Sequence, residues 1–333
     1  MNITLRLAGV ELEPWEQDYL TTKLGPGRYV NEHLAEASDL GDPEVLLTFI
    51  YSPITAATFQ QYPNIKLVST LSTGYDHIDL AACRKKGVTV SNVPSYGENT
   101  VAEQAFALLL ALTRKIVSSV NHTRVGDFRL DDLRGVDLAG KTIGIIGTGR
   151  IGQHMIRMAK GFGLTVLGYD PFPKPALAQE LGFTYVDLPT LLKGSDVISL
   201  HCPATPETRH LLNEERLMMM KPEAILINTA RGSLIDTQAL VRVLDRGHLM
   251  AVGLDVLEEE YAVIDERQLL SPKFQRSVDL TTVLADHVLL AHPRVIVTPH
   301  NAFNTTEALK RILDTTIANV QAFAQGQPAN VVS

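Results

Sequence analysis

Cysteine and tryptophan are scarce in this chain, with two of the first and one of the second in 333 residues. Cys83 and Cys202 lie far apart in sequence, so they build neither a disulfide framework nor a paired-cysteine zinc spacing. A reducing compartment is expected, and no metal site. Positive charge is short as well. Lys and Arg number 30 against 37 Asp and Glu, a net charge of −7, whereas a nucleic-acid binder needs a basic face. Any anionic ligand must therefore be held by a few placed cations. Long apolar runs are missing too: the stretch 105–112 is too short to cross a bilayer. Residues 1–10 show no basic patch followed by an apolar core, so no secretory signal is read there. The expectation is a soluble cytoplasmic protein with neither nucleic-acid nor membrane partners.

With 45% hydrophobic and 20% charged residues, the composition is that of an ordinary globular protein. The length allows two domains, each with its own core. Short β-branched runs alternate with helical patterns, the signature of parallel α/β layers. In the first hundred residues strands are expected at 3–8, 45–49, 66–70 and 88–92, with helices near 14–23, 55–61 and 79–86. Thr100-Val101-Ala102-Glu103 reads as a capping box that opens a long helix. Sequence 121–140 reads as loop. A second series follows, with strands expected at 142–147, 165–170, 184–187, 196–201, 224–230, 250–256 and 295–299. In 261–293 the first half reads as loop and 280–291 as helix. A closing helix is expected over 305–324.

Gly147-Thr148-Gly149-Arg150-Ile151-Gly152 follows an apolar strand and opens a helix. Alone, such a glycine pattern is a weak signal. In this context the glycines permit a tight turn, let backbone approach a pyrophosphate and allow helix to pack closely on strand. The helix N-terminus then offers free amides to phosphate. Asp170 ends the next expected strand, about twenty positions on, where a carboxylate hydrogen-bonds ribose hydroxyls and repels a 2′-phosphate. NAD is therefore the expected cofactor, in preference to NADP.

Three further segments end strands in reactive side chains. Arg231 follows the run 224–229 and precedes Gly232. Asp255 is followed by Glu258-Glu259-Glu260, which read alone would be a solvated turn. His300 follows Val295-Ile296-Val297-Thr298-Pro299, and any single one of ten histidines is more often structural. As an ordered set, these segments and the glycine loop resemble the D-isomer-specific 2-hydroxyacid dehydrogenases. So does Ser72-Thr73-Gly74-Tyr75-Asp76-His77-Ile78-Asp79, with Asn92-Val93-Pro94 and Val101-Ala102-Glu103 after it.

The resemblance implies an α/β protein of two domains. A Rossmann domain for NAD, 101–299, would be inserted in a flavodoxin-like substrate domain, 1–100 plus 300–333. It implies catalytic Arg231, Glu260 and His300, with Glu260 taken over Glu258 and Glu259 for its position after Asp255. Reduction of a 2-oxo acid needs a cation for the carboxylate, a proton donor at the carbonyl oxygen, and hydride from nicotinamide. Arg231 supplies a fork for the carboxylate. His300 is the proton donor, and Glu260 on its other nitrogen orients the ring and favours the protonated form. By the same resemblance the amides of Thr73 and Gly74 hold the carboxylate, and Asp255 lies near the nicotinamide carboxamide. Cys202, Pro203, Thr208, Thr229 and Ala230 run along the cofactor, joined there by Arg231 and His300. The thiol of Cys202 is expected to have no redox role, and His201 to be structural. Segment 121–140 is the implied arm of a homodimer.

Tyr169-Asp170-Pro171-Phe172-Pro173, the long interval from Glu260 to His300, and His300-Asn301-Ala302-Phe303-Asn304-Thr305 are similar to the D-lactate dehydrogenase-like members. That implies pyruvate and NADH going to D-lactate and NAD, with Tyr96 and Phe303 lining a small apolar pocket and Tyr51 as a third member. Reduction of glyoxylate, hydroxypyruvate or branched 2-oxo acids is the alternative. From another class, an NAD-sensing co-repressor-like binding protein would keep the same three residues.

Overall fold

Strands that are apolar on both faces can be satisfied only between two layers of helices. The computed structural model, which describes residues 5–264 and 279–332, places them in two units. These are Met1–Gly97 with Asn304–Ser333, and Glu98–Phe303. Glu98–Thr100 and His300–Phe303 thus group with the second unit.

The first unit runs β1 (Leu7–Gly9), α1 (Pro14–Leu24), β2 (Arg28–Tyr29), β3 (Val45–Thr48), α2 (Ala56–Gln61), β4 (Leu67–Thr70), α3 (Leu80–Lys86) and β5 (Thr89–Ser91). Its sheet has the order β2-β1-β3-β4-β5 with every pairing parallel, the flavodoxin-like arrangement. Leu46, Val68 and Val90 enter a core with Phe59, Ile78 and Cys83. The two-residue strand β2 has no counterpart in the sequence reading. Of the strand expected at 3–8, residues 3 and 4 lie outside the described residues.

The second unit runs α4 (Glu98–Thr113), α5 (Ile116–Arg124), β6 (Thr142–Ile146), α6 (Arg150–Gly161), β7 (Thr165–Tyr169), α7 (Pro175–Leu181), β8 (Thr184–Tyr185), α8 (Leu188–Gly194) and β9 (Val197–Leu200). It continues through α9 (Glu214–Met219), β10 (Ala224–Asn228), α10 (Thr237–Asp245), β11 (Leu249–Leu254), α11 (Glu260–Ile264), α12 (Leu280–Ala291) and β12 (Val295–Val297). The strand order is β12-β11-β10-β9-β6-β7-β8, all parallel. Alternation along β10 shows why both faces must be apolar. Ile225 and Ile227 join a core with Leu109 and Ile156, and Leu226 joins another with Leu192 and Leu240. Each such side chain contributes roughly 1.5–3 kcal/mol by leaving water. Strand order reverses between β6 and β9, which opens a ligand crevice at the carboxyl ends of the strands.

Three expectations are corrected here. The long helix begins at Glu98, so Thr100 lies inside its first turn, 4% exposed, and does not cap it. Glu103 instead takes the Asn99 amide at 3.0 Å, one turn back. Sequence 121–124 is the end of α5 rather than loop. The loop expected after Glu260 opens as a helical turn, α11, and 265–278 lies outside the described residues.

The closing helix, α13 (Thr306–Ala324), is capped by the Thr305 hydroxyl on the Ala308 amide, a contact worth about 1 kcal/mol. It packs on α1 and β4 of the first unit. Its buried Asn319 donates to the Asn92 carbonyl at 2.9 Å.

Candidate active site

Parallel pairing brings the carboxyl ends of β6, β9, β10, β11 and β12 to one edge of the second unit's sheet. Each end carries one of the segments singled out above. After β6, Gly147 takes φ +94°, and a Cβ there would lie 2.7 Å from the Cys202 amide nitrogen. A Cβ on Gly152 would lie 2.1 Å from the Gly147 carbonyl oxygen, so α6 can approach the loop only with glycine there. Around Gly149 the space is open, and it starts α6 without a side-chain cap. Open backbone at a helix N-terminus suits a pyrophosphate.

Asp170 ends β7 beside this loop. Its Oδ2 accepts the Thr148 amide at 2.9 Å and the Thr148 hydroxyl at 3.0 Å, while Oδ1 accepts the Phe172 amide at 3.0 Å. The carboxylate therefore shapes the glycine loop. Arg150 is largely exposed and pairs with Glu98 at 3.3 Å; Ile151 is half-buried.

Beyond β9, burial pushes the Cys202 thiol up to about 11, so it stays protonated. His201 meets the Ser199 hydroxyl at 2.9 Å, and desolvation lowers it to about 4, a neutral packing residue. The Thr208 hydroxyl donates to the Pro203 carbonyl at 2.8 Å and so closes the turn that follows. Beyond β10, the Thr229 hydroxyl is buried with no partner among the described residues. This orphaned hydroxyl, the open loop at Gly149 and the placed Asp170 fit a dinucleotide.

Arg231 is set by a residue that the sequence reading passed over. Asn228, unexposed at the end of β10, accepts the Ala230 amide at 3.0 Å and donates to the Arg231 carbonyl at 2.8 Å. A polar residue closing the apolar run Ala224-Ile225-Leu226-Ile227 was the available signal. Arg231 Nη1 donates to the Ala230 carbonyl at 2.8 Å.

His300 lies past β12 in a turn where it takes φ +50°, a conformation that side chains rarely adopt. Asp255, 1% exposed, holds that turn. It accepts the Thr298 hydroxyl, the Asn301 amide at 3.1 Å and the Ala302 amide at 2.9 Å. Burial pushes the Asp255 carboxyl up, and those donors oppose the shift. Both Glu260 oxygens lie 3.1 Å from His300 Nδ1. His300 Nε2 has no partner among the described residues, so the ring can meet a ligand through it.

The neighbouring glutamates are engaged elsewhere. Glu258 binds Arg209 at 3.0 Å and His210 at 2.6 Å, and takes the Thr237 hydroxyl at 3.2 Å. Glu259 accepts the Asp279 amide at 3.4 Å, and burial pushes its carboxyl up.

In the first unit, the Thr73 hydroxyl donates to the Val93 carbonyl at 2.7 Å, and Asn92 donates to the Thr73 carbonyl at 2.8 Å. Ser72 donates to the Gly74 carbonyl at 2.6 Å. The amides of Thr73 and Gly74 have no acceptor among the described residues. Tyr96 is half-buried, and its carbonyl accepts from Arg311. Tyr51 is half-buried edge-on to Phe49, ring centroids 5.8 Å apart. Phe303, in the second unit, is also half-buried.

Such a sheet, with a glycine loop and a carboxylate-paired histidine at one edge, defines a dinucleotide-dependent dehydrogenase. Residues 106–302 match the family described as "D-isomer specific 2-hydroxyacid dehydrogenase, NAD binding domain". The chain is 42% identical over 266 residues to the D-lactate dehydrogenase of Escherichia coli K12, covering 79% of this chain and 77% of that protein. It superposes on the pyruvate reductase of Chlamydomonas reinhardtii with TM-score 0.88 at 35% identity, covering 98% of each chain. A D-lactate dehydrogenase from Aquifex aeolicus, complexed with NAD and lactic acid, gives TM-score 0.85 at 34% identity, covering 97% of this chain and 96% of that one. Other relatives are named glyoxylate reductase, glycerate dehydrogenase and hydroxypyruvate reductase. The chain belongs to the D-isomer-specific 2-hydroxyacid dehydrogenases, NAD-dependent enzymes that act on CH–OH donors. Among the described residues no helix is long and apolar enough to cross a membrane.

Proposed function

We propose that this enzyme reduces a short 2-oxo acid, pyruvate by preference, to the D-2-hydroxy acid. The observation that carries the proton chemistry is Glu260 on His300 Nδ1 at 3.1 Å, which leaves Nε2 for the substrate oxygen. Bound NADH supplies the hydride for the carbonyl carbon. Arg231 pairs with the substrate carboxylate and polarises the carbonyl. His300 gives its proton to the oxygen, and Glu260 keeps the ring oriented and stabilises the positive charge that the donor carries. Asp255 keeps His300 in its turn and faces the nicotinamide carboxamide. Gly147, Gly149, Arg150, Ile151 and Gly152 hold the pyrophosphate, Asp170 the ribose, and Cys202, Pro203, Thr208, Thr229 and Ala230 the rest of the cofactor. By resemblance to the family, the amides of Thr73 and Gly74 contact the carboxylate, and Tyr96 and Phe303 are apolar walls.

The preference for pyruvate draws on relatives named for D-lactate and pyruvate. Glyoxylate or hydroxypyruvate is the second reading, favoured by the relatives that carry those names. A homodimer in a reducing cytoplasm completes the proposal. Exposed Ile116, Val117 and Val120 on α5, continued by Val125, Phe128 and Leu130, support a partner surface. Oxidation of NADH with a panel of 2-oxo acids, each product resolved by chirality, tests the function. Turnover of pyruvate to D-lactate above all others is expected. Faster turnover of glyoxylate or hydroxypyruvate would move the assignment to the second reading, and no turnover of any 2-oxo acid would favour a binding protein.

A further inference from the structure

Behind the Glu258-Glu259-Glu260 run lies a carboxyl group that the chemistry above does not use. Asp286, on α12, has no exposed surface. Its Oδ2 accepts the Glu259 backbone N–H at 3.1 Å. The Glu259 carbonyl in turn accepts the amides of Ala262 at 2.9 Å and Val263 at 3.3 Å. Glu259 is therefore the residue from which α11 starts, and Glu260 follows it directly. Asp286 Oδ1 has no partner among the described residues. Burial, reinforced by the charges of Glu258 and Glu259, pushes the Asp286 carboxyl up to about 7.

An acid so placed costs stability relative to a well-packed apolar side chain. What it supplies is directional: one acceptor fixed on the amide adjoining Glu260. The side chains facing it are Glu258, held by Arg209 and His210, and Glu259. Those facing His300 are Glu260 and Asp255. Among the described residues, Asp286 is linked to the second group through the Glu259 backbone. We propose that Asp286 is a positioning residue, which keeps the Glu260 carboxylate on His300 by holding the Glu259 amide. The proposal rests on the Glu260–His300 pair as the group that handles the proton.

The test is a kinetic cycle on the purified full chain, with NADH and whichever 2-oxo acid it reduces fastest. Asp286→Ala should lower kcat on the order of tenfold, as misplacement of a catalytic group does, and leave the KM for NADH within about twofold. Asp286→Asn keeps the acceptor and should stay within about twofold of wild-type kcat. In a Glu260→Ala background Asp286→Ala should add nothing, because no carboxylate is left to place. Should Asp286→Ala fail to fold, Asp286→Leu, with the same heavy-atom branching and no acceptor, takes its place. The proposal is overturned by wild-type kcat in Asp286→Ala, by an equal loss in both backgrounds, or by a loss in Asp286→Asn that matches Ala. If Glu260→Ala itself leaves kcat unchanged, the pair is not the proton-handling unit and this proposal falls with it.

Discussion

Gly232 is pressed against Leu257: a Cβ on it would fall 2.1 Å from the Leu257 carbonyl carbon and oxygen and 2.4 Å from the Glu258 nitrogen. The turn carrying Arg231 thus lies directly on the loop leading to Glu260. Backbone cannot yield as a flexible side-chain tip does, so Gly232→Ala must move one of the two. Activity should fall on the order of a hundredfold, the usual effect of displacing a catalytic group by about 1 Å. Steady-state kinetics on folded protein, checked by circular dichroism, decide it. Activity within twofold of wild type would mean that the close packing is not needed.

On the proposed reading Asp170 selects NAD, and Ala is a poor probe of that because it would also release the Thr148 amide. Asp170→Asn keeps an acceptor for that amide and removes the charge. Preference for NAD over NADP should drop by roughly tenfold or more, since like charges brought together cost several kcal/mol. Thermal stability should change little. Unchanged discrimination in kcat/KM would locate the determinant elsewhere.

Phe303→Ala and Tyr96→Ala should shift preference from pyruvate towards 2-oxo acids with longer apolar side chains. Each methylene accommodated is worth roughly 1 kcal/mol. The half-buried state of both rings suits a wall better than a core position. An unchanged ranking of substrates in both variants would assign the pocket to other residues.

Asp286 also predicts a pH dependence of stability. The folded protein holds its proton up to about 7, whereas an unfolded chain releases it near the ordinary carboxyl value of about 3.9. Between those values folding takes up a proton, so this group's contribution falls as pH rises. Asp286→Asn carries no such cost. Its unfolding free energy relative to wild type should therefore rise from pH 4 to pH 7 and then level off, by an amount on the order of a few kcal/mol at most. A difference independent of pH would show that Asp286 is ionised throughout.

Much of this arrangement is written locally in the chain. The glycine loop and Asp170 are legible from their spacing about a strand, whereas Arg231, Asp255 and His300 stand out only as an ordered set, through the family resemblance. The misreadings share a cause. The box at Thr100 is a four-residue signature, and it lost to a helix that starts two residues earlier and buries Thr100. Strand β2 exists only through its ladder to Ala8 and Gly9. The last turn of α5 was missed because Asn121-His122-Thr123-Arg124 carries no apolar residue to continue the helical pattern. Asn228 and Asp286 act on backbone groups, and in Asp286 the partner lies far along the chain. No spacing rule announces such contacts.

On the proposed reading His300, held by Glu260, moves the proton while NAD(H) exchanges hydride with a 2-oxo acid. The direct measurement is kcat/KM in both directions for wild type and His300→Ala, with NADH affinity followed separately by fluorescence. A loss of roughly 10²–10⁴-fold is expected in reduction and oxidation alike, with NADH still bound. Rates within a few-fold of wild type in either direction would contradict it.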